Sequence, residues 1–436
     1  MVSCKFSFIR SFFKLKLSTQ MVLGTLFGVI VGLILRNNPE FKSFIGLDIE
    51  SFKKVGMIFV NLIKMISIPL IFTAILSSVI SADNMEGSGK VAFRSLVVFC
   101  IMTAICALVG EVSAIIFKPG ENVNFNKELI ISQNAQNATN IISKARNISG
   151  ITDFIFDIVP SNLFDTFYKG DMLQIIFLAV LFGIGIIKLS EKKKLVVVKS
   201  ISIINDISMS VVNMIMKIAP IGSFGIMVWL FDTQDINLIK SLGKIILLML
   251  VNVIFIVYVV YSLIFIFILR LNPIPFFKKM IPAQLMAFLT SNTTAVVPMA
   301  MDIARNKLGV SKEKVDFVIP LAASIDKNGS AIHLTMCSVF IAQIFGLHLD
   351  LNQYAIIFAI SFLCALGTAP IPGASIFLLG NVLSVIGLPV EAIGLVLGID
   401  RVLDMLRTVV NLSGDALAAV IVDRTSNTLD KEIYNH

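Results

Sequence analysis

Charge is what this 436-residue chain has little of: only 15% of its residues are Asp, Glu, Lys or Arg, against 56% hydrophobic. A soluble domain carries about a quarter of its residues charged, so a water-facing fold is excluded. Histidine is scarcer still, with His333, His348 and His436 the whole supply. Three scattered imidazoles do not make a histidine-rich metal centre. The five cysteines, Cys4, Cys100, Cys106, Cys337 and Cys364, show no CxxC spacing, and all but Cys4 lie in apolar runs. They read as small core residues, not as a disulfide framework or a metal site. Neither HExxH nor GxSxG occurs, which argues against an enzyme.

What the chain does have is apolar sequence over nearly its whole length, with a mean hydropathy of +0.90. Continuous apolar runs, rather than alternating ones, predict an all-α integral membrane protein and not a β-barrel. The net charge of +8 does not point to nucleic acid, because Lys and Arg flank hydrophobic segments instead of forming one patch. Residues 1–16, MVSCKFSFIRSFFKLK, read as an uncleaved basic cytoplasmic leader into the first span.

Within residues 17–270 the pattern predicts six transmembrane regions, the first three over ~17 to 36, ~55 to 81 and ~91 to 117. The turn DNMEGSGK, followed by Arg94, is expected inside, which puts the polar segment from Pro119 to Gly150 outside as a flexible loop. A fourth region starts with FDIVPSNLFDTF and continues as MLQIIFLAVLFGIGIIKL, and the basic SEKKK at 190–194 returns the chain to the cytoplasm. Two more spans are expected over ~204 to 231 and ~242 to 270.

Beyond Pro273 the apolar segments are interrupted, and residues 271–424 read as a distinct core. One hairpin over 273–305 is broken by Thr290, Ser291, Asn292, Thr293 and Thr294, and a second over 352–386 is broken by GTAPIPGAS at 367–375. Between them, a helix over 315–346 carries IDKNGSAIH at 325–333. Each interruption alone is also what interhelical hydrogen bonding or a simple kink requires. Paired interrupted segments, however, point to a transporter site built from re-entrant hairpins.

The last helix, 391–424, is followed by a cytoplasmic tail over 425–436. It sets Asp400, Asp404, Arg407, Asn411 and Asp415 within roughly 80° of one another on a helix turning about 100° per residue. A structural Asp404–Arg407 ion pair accounts for two of these and leaves three. Ionisable groups at membrane depth mark a pathway for ions or solute.

These residues carry a resemblance. GIDRVLDMLRTVVNLSGDA in the last helix, GTAPIPGAS and AFLTSNTTAVVP at the two tips, and SIDKNGSAI between them resemble the dicarboxylate/amino acid:cation symporter family, the glutamate transporter homologues. Weaker similarity runs upstream through VNLIKMISIPLIF and DIVPSNLF. The resemblance implies eight transmembrane helices plus two re-entrant helical hairpins, assembled as a homotrimer in the plasma (inner) membrane with both termini cytoplasmic. It further implies an elevator mechanism: a scaffold of the first, second, fourth and fifth helices holds a mobile domain that the third and sixth helices join. The second hairpin would be the outer gate.

Carried over by position, the resemblance implies that Arg407 grips a side-chain carboxylate, Asp404 holds an ammonium, and Asn411 binds an α-carboxylate beside Thr408. Ser330 would stand near the side-chain carboxylate. Backbone groups at Asn292, Thr293 and Thr294, and at Ile371, Pro372 and Gly373, would complete the substrate site. Sodium candidates are Asp415, Asn411, Asp326, Asn328, Thr103 and Thr368. No cofactor is implied beyond Na+ and/or H+ as coupling ions.

The chain departs from the family pattern where Asn-Met-Asp-Gly-Thr is replaced by Asp326, Lys327, Asn328, Gly329 and Ser330. A buried ammonium at Lys327 would stand in for a sodium ion or exchange a proton, unless the side chain snorkels away or pairs locally with Asp326 and changes little. Pro370 also replaces a usual glycine and stiffens the second tip. The leading expectation is uptake of an acidic amino acid, L-glutamate or L-aspartate. The alternative is a C4-dicarboxylate such as succinate, malate or fumarate, which Asp404 disfavours by repulsion. A neutral amino acid leaves Arg407 without its anion. An anion channel stays open, whereas an aspartyl protease needs its carboxylates on facing helices.

Overall fold

The computed structural model describes residues 17–38, 49–83, 89–121, 123, 159–169, 172–233, 236–366 and 374–435. Every regular element among these residues is helical, with no strand. The medium explains this, since a helix pairs its own N–H and C=O groups where hydrocarbon offers them no partner. In order they are α1 (Leu17–Asn37), α2 (Ile49–Asp83), α3 (Gly89–Phe117), α4 (Leu163–Lys169), α5 (Met172–Ile187), α6 (Glu191–Met216) and α7 (Ala219–Thr233). Helix α8 (Ile236–Ile254) continues through two wider π-helical stretches, Phe255–Val260 and Ile264–Leu269. Then come α9 (Pro273–Thr290), α10 (Thr293–Asn306), α11 (Lys312–Ile325), α12 (Asn328–Ile344), α13 (Leu351–Leu366) and α14 (Ala374–Val385). The chain closes with α15 (Ile393–Leu397), α16 (Asp400–Thr425) and α17 (Lys431–Asn435).

Five helices among the described residues are long and apolar enough to cross a bilayer: Thr19–Asn37, Phe93–Phe117, Glu191–Met216, Asn237–Leu269 and Asp400–Thr425. Their surroundings differ. Only 18% of the most apolar window of α6 is buried, against 89% of that of α16, so α6 faces outward while α16 is wrapped in protein.

The fifth span, expected over ~204 to 231, is two helices instead. Helix α6 begins at Glu191, taking the SEKKK segment into its first turn behind Ser190, and ends at Met216. Pro220 then lacks the N–H that would continue the ladder to the Met216 carbonyl, and the chain restarts as α7. The basic cluster, expected to return the chain to the cytoplasm, lies in the first turn of α6, where long lysine stems sit readily on a helix end at the water edge.

Two groups of helices follow from the packing. Helix α7 lies against α1 and α2, and α2 also takes α5 and α6. Helix α16 is surrounded by α9, α11, α12, α10, α8 and α3, and α12 also packs on α3 and α13. The groups meet where α14 and α15 touch α2, where α15 touches α7, and where α1 touches α16. At the other end Lys279 Nζ donates to the carbonyls of Lys307 at 2.8 Å, Ile433 at 3.0 Å and Tyr434 at 2.8 Å. The Tyr434 hydroxyl donates to the Asn272 carbonyl at 2.7 Å, so α17 straps the base of α9 and α10.

The first group is held together by close backbone approach. Gly24, Gly28 and Gly32 form one face of α1, and a Cβ on each would stand 2.6, 2.7 and 2.8 Å from the carbonyl oxygens of Pro220, Phe224 and Val228 in α7. Small residues spaced by four allow this contact where lipid removes the hydrophobic drive between helices. Gly28→Leu is therefore expected to destabilise the protein by at least about 1–3 kcal/mol, as over-packing does. A lower melting temperature in detergent reads this, while Gly185→Ala, with nothing within 4 Å of its added Cβ, leaves it unchanged.

Candidate functional site

Helix α16 carries its charges inside the protein rather than along one wetted stripe. Asp400, Arg401, Asp404, Arg407, Thr408, Asn411, Ser413 and Asp415 are all buried. Such groups persist in an apolar interior only when paired, and the pairing is dense here. Arg407 Nη1 reaches Asp400 Oδ1 at 3.1 Å, while its Nε and Nη2 reach Asp404 Oδ1 at 2.9 and 2.8 Å. Arg401 Nη1 approaches the other oxygen of Asp404 at 3.5 Å, and Arg401 Nε has no hydrogen-bond partner. His333 Nε2 stands 3.9 Å from Asp400 Oδ1. Two carboxylates and two guanidinium groups thus form one neutral ring.

The rest of the α16 face meets the break between α11 and α12. The ladder stops at Ile325 because Asp326 and Lys327 leave helical geometry, and α12 restarts at Asn328. Its first turn is pressed against α16: a Cβ on Gly329 would lie 2.7 Å from the Arg407 Cα and 2.8 Å from its carbonyl carbon. The freed Gly329 N–H donates to Asn411 Oδ1 at 2.7 Å. Thr408 Oγ1 is turned back to the Asp404 carbonyl at 2.6 Å. Ser330 Oγ pairs with Ser375 Oγ at 2.9 Å, joining α12 to the start of α14.

A second polar cluster lies at the same break. Thr103 of α3 donates to Asp326 Oδ1 at 3.2 Å or stands equally near Asn328 Oδ1 at 3.2 Å, and Asn328 Nδ2 donates to Asp326 Oδ2 at 3.0 Å. Gly414 makes room for it, since a Cβ there would strike the Asn328 amide and sit 3.4 Å from Asp326 Oδ2. Asp415 is fully buried and neither of its oxygens has a hydrogen-bond partner. The Lys327 ammonium donates to the Ala323 carbonyl within α11.

The tip between α9 and α10 turns on Ser291, in the left-handed region at φ 50°. Asn292 caps α10 by accepting from the Ala295 N–H at 3.4 Å. Thr293 is buried and Thr294 is exposed in the first turn, where helical N–H groups lack intrahelical partners. Among the described residues no side-chain hydrogen bond joins these three to the α16 ring. Helix α9 reaches α16 elsewhere, through Gln284 Nε2 and Ser413 Oγ at 3.0 Å. Thr368, Pro370, Ile371, Pro372 and Gly373 lie outside the described residues.

Helix α16, the broken α11–α12 helix and the α9–α10 pair pack together in one helical core. The comparison with known proteins identifies the family. The chain belongs to the sodium:dicarboxylate symporter family. Residues 17–425 match that family. The chain is 32% identical over 416 residues to the proton/sodium-glutamate symport protein of Bacillus subtilis (strain 168), covering 94% of this chain and 93% of that one. It is 30% identical over 419 residues, 96% of each chain, to the protein of the same description from Geobacillus stearothermophilus. It is also 32% identical over 421 residues to the C4-dicarboxylate transport protein of Bacillus subtilis (strain 168), covering 95% and 94%. This chain is therefore a membrane symporter.

Within the symporter, several site groups were not evident from the sequence. Arg401 was hidden because it falls off the stripe that the helical angle defines. Ser375, Tyr261 and Gln284 looked like ordinary residues of apolar runs, yet Tyr261 is buried with its hydroxyl 3.4 Å from the Val410 carbonyl. A polar side chain inside a long apolar run was the available signal. Gly329→Ala tests the closeness of α12 to α16: the added methyl group is expected to cut uptake at least about tenfold, the equivalent of 1.4 kcal/mol, in protein that still purifies folded. Wild-type uptake by that variant would mean the helices part at no cost.

Proposed function

We propose that this symporter imports an acidic amino acid, L-glutamate or L-aspartate, with Na+ and/or H+ as coupling ions. The observation that carries this reading is the buried Asp404–Arg407 pair, which presents a fixed anion beside a planar donor fork. An acidic amino acid has both complements. Its side-chain carboxylate takes the N–H groups of Arg407, whose planar fork suits a two-pronged anion, and its ammonium takes the Asp404 carboxylate. Asn411 spends its carbonyl oxygen on Gly329, which leaves its amide N–H groups for the α-carboxylate. Ser330 and Thr408 stand at the edge of the same ring, and the first turn of α10 supplies backbone dipoles, with Ile371, Pro372 and Gly373 assigned to the same substrate in this reading.

Asp326, Asn328, Thr103, Asn411 and Asp415, with Thr368, serve as oxygen ligands for the coupling cation. The division of the helices into an α1–α2–α5–α6–α7 group and a group around α16 supports an elevator: the second group carries solute and cation past the first. The outward-facing α6 gives the first group a surface for a homotrimer. Both termini lie on the cytoplasmic side of the plasma (inner) membrane in this reading.

A C4-dicarboxylate is the second reading, and Arg401 favours it. With Arg401 Nη1 3.5 Å from Asp404, that carboxylate is partly neutralised, and a second guanidinium stands ready for a second anionic group. Uptake of labelled L-aspartate, L-glutamate and succinate into proteoliposomes decides between them. The proposal expects amino acid uptake that equimolar succinate barely displaces and that Asp404→Ser abolishes. Arg407→Ala removes a hydrogen-bonded buried charge and is expected to weaken apparent affinity by about 2–5 kcal/mol. Succinate acting as potently as aspartate, with Asp404→Ser still transporting it, would overturn the choice.

A further inference from the structure

Three formal charges share the break between α11 and α12, and their sum is not zero. Asp326 and Asp415 are both fully buried carboxylates, and Lys327 is only 2% exposed. Asp326 is hydrogen-bonded by Asn328 and Thr103. Asp415 has neither oxygen bonded, and the charges that act on it are those of Lys327 and Asp326. The electrostatic partners of the Lys327 ammonium are these same two carboxylates. The other groups gathered here, Tyr261, Cys106, Asn328 and Thr103, bring no formal charge, so the formal count of the cluster is two negative and one positive.

A buried carboxylate without hydrogen bonds is tolerated only if a metal cation or an ammonium offsets it or a proton neutralises it. Lys327 can do this for one of the two. Its side chain is buried and donates to the Ala323 carbonyl, and its charge acts on both carboxylates across the interior without forming a direct ion pair with either. One negative charge is left over. The bare oxygens of Asp415 beside the Asp326, Asn328 and Thr103 oxygens are where a monovalent cation with a preference for oxygen would complete the balance.

We propose that Lys327 is a tethered coupling charge: its ammonium occupies one of the two positive-charge positions that Asp326 and Asp415 demand, so this cluster takes up one mobile cation per transport cycle instead of two. This rests on the reading of the chain as a cation-coupled carrier of acidic amino acids. The consequence is numerical. Lys327→Met leaves a charge of two minus and adds one coupled cation. Asp415→Asn leaves zero and removes one. The double variant returns to one minus and restores the wild-type number.

The test is equilibrium accumulation of labelled L-aspartate or L-glutamate in proteoliposomes, with the voltage held at zero and Na+ and H+ gradients imposed in turn. At a tenfold gradient each added coupled cation raises the accumulation limit about tenfold, the ratio equivalent to 1.4 kcal/mol. The proposal expects the product of the two limits, one for each ion, to rise tenfold in Lys327→Met, fall tenfold in Asp415→Asn and return in the double variant. An unmoved product in either single variant overturns it. If Lys327→Met does not fold, Asp415→Asn and the charge-restoring double variant still decide. If wild type accumulates neither amino acid under any gradient, the proposed function fails. The cluster is then read by sodium titration of melting temperature in detergent, where Lys327→Met must gain and Asp415→Asn must lose Na+-dependent stabilisation, and equal curves overturn it.

Discussion

A charge held away from water must be met by another charge or by a hydrogen bond, and the core of this protein is arranged around that demand. Arg407 sits between Asp400 and Asp404, with Arg401 on the far oxygen of Asp404, so four ionised side chains on one helix cancel within two turns. Without that cancellation α16 would not be the most enclosed of the five membrane-length helices. The ring is also unstable to exchange. Every donor that Arg407 gives to an aspartate can be given to an incoming carboxylate at little net cost, provided something positive arrives with it to release the aspartate.

The helix breaks serve the same demand. At Asp326 and Lys327 the backbone stops pairing with itself, and the freed Gly329 N–H goes to Asn411 while the side chains of Asp326 and Asn328 close on Thr103. Ser291 performs a similar interruption between α9 and α10 by adopting left-handed geometry, which a hairpin tip requires and a continuing helix forbids. Breaks of this kind are tolerable only inside protein, and the wrapping of α16 by its neighbours supplies that interior. The glycine face of α1 does the opposite work. It removes side chains so that α1 and α7 lock backbone to backbone, giving a rigid group beside one full of interruptions.

Much of this was legible in the sequence, for a physical reason: hydrocarbon penalises polar residues so heavily that each survivor stands out. The stripe from Asp400 to Asp415 and the TSNTT and DKNGS interruptions were visible because they break long apolar runs. What sequence did not disclose was direction and partnership. Arg401 lies one residue off the stripe and looks like a helix-end cation, and only the fold shows it turned toward Asp404. The Ser330–Ser375 bond joins residues 45 apart through two elements whose docking no periodicity encodes. The split of the ~204 to 231 segment at Lys217 was missed because hydropathy continues unbroken across Pro220, while hydrogen bonding does not. The stack of Gly24, Gly28 and Gly32 was legible and overlooked, since glycine contributes no hydropathy signal of its own.

Symporters named for glutamate and for C4-dicarboxylates are equally similar to this chain, at 32% identity each, so overall similarity does not set the choice of solute. The balance around Asp404 is a finer instrument. If its charge is fully spent on Arg401 and Arg407, the ring presents net positive character to a second carboxylate. If Arg401 holds it only loosely, it remains an acceptor for an ammonium. Arg401 approaches Asp404 at 3.5 Å, against 2.8 Å for Arg407, and the proposed reading rests on that looser hold leaving Asp404 an acceptor for an ammonium. In the proposed reading coupling belongs to the Asp326–Lys327–Asp415 cluster, joined to the Arg407 group through Gly329 and Asn411. Substrate charge and cation count would then be set by two groups of residues that share one short span of α16, and a change in one would move the other through backbone contact.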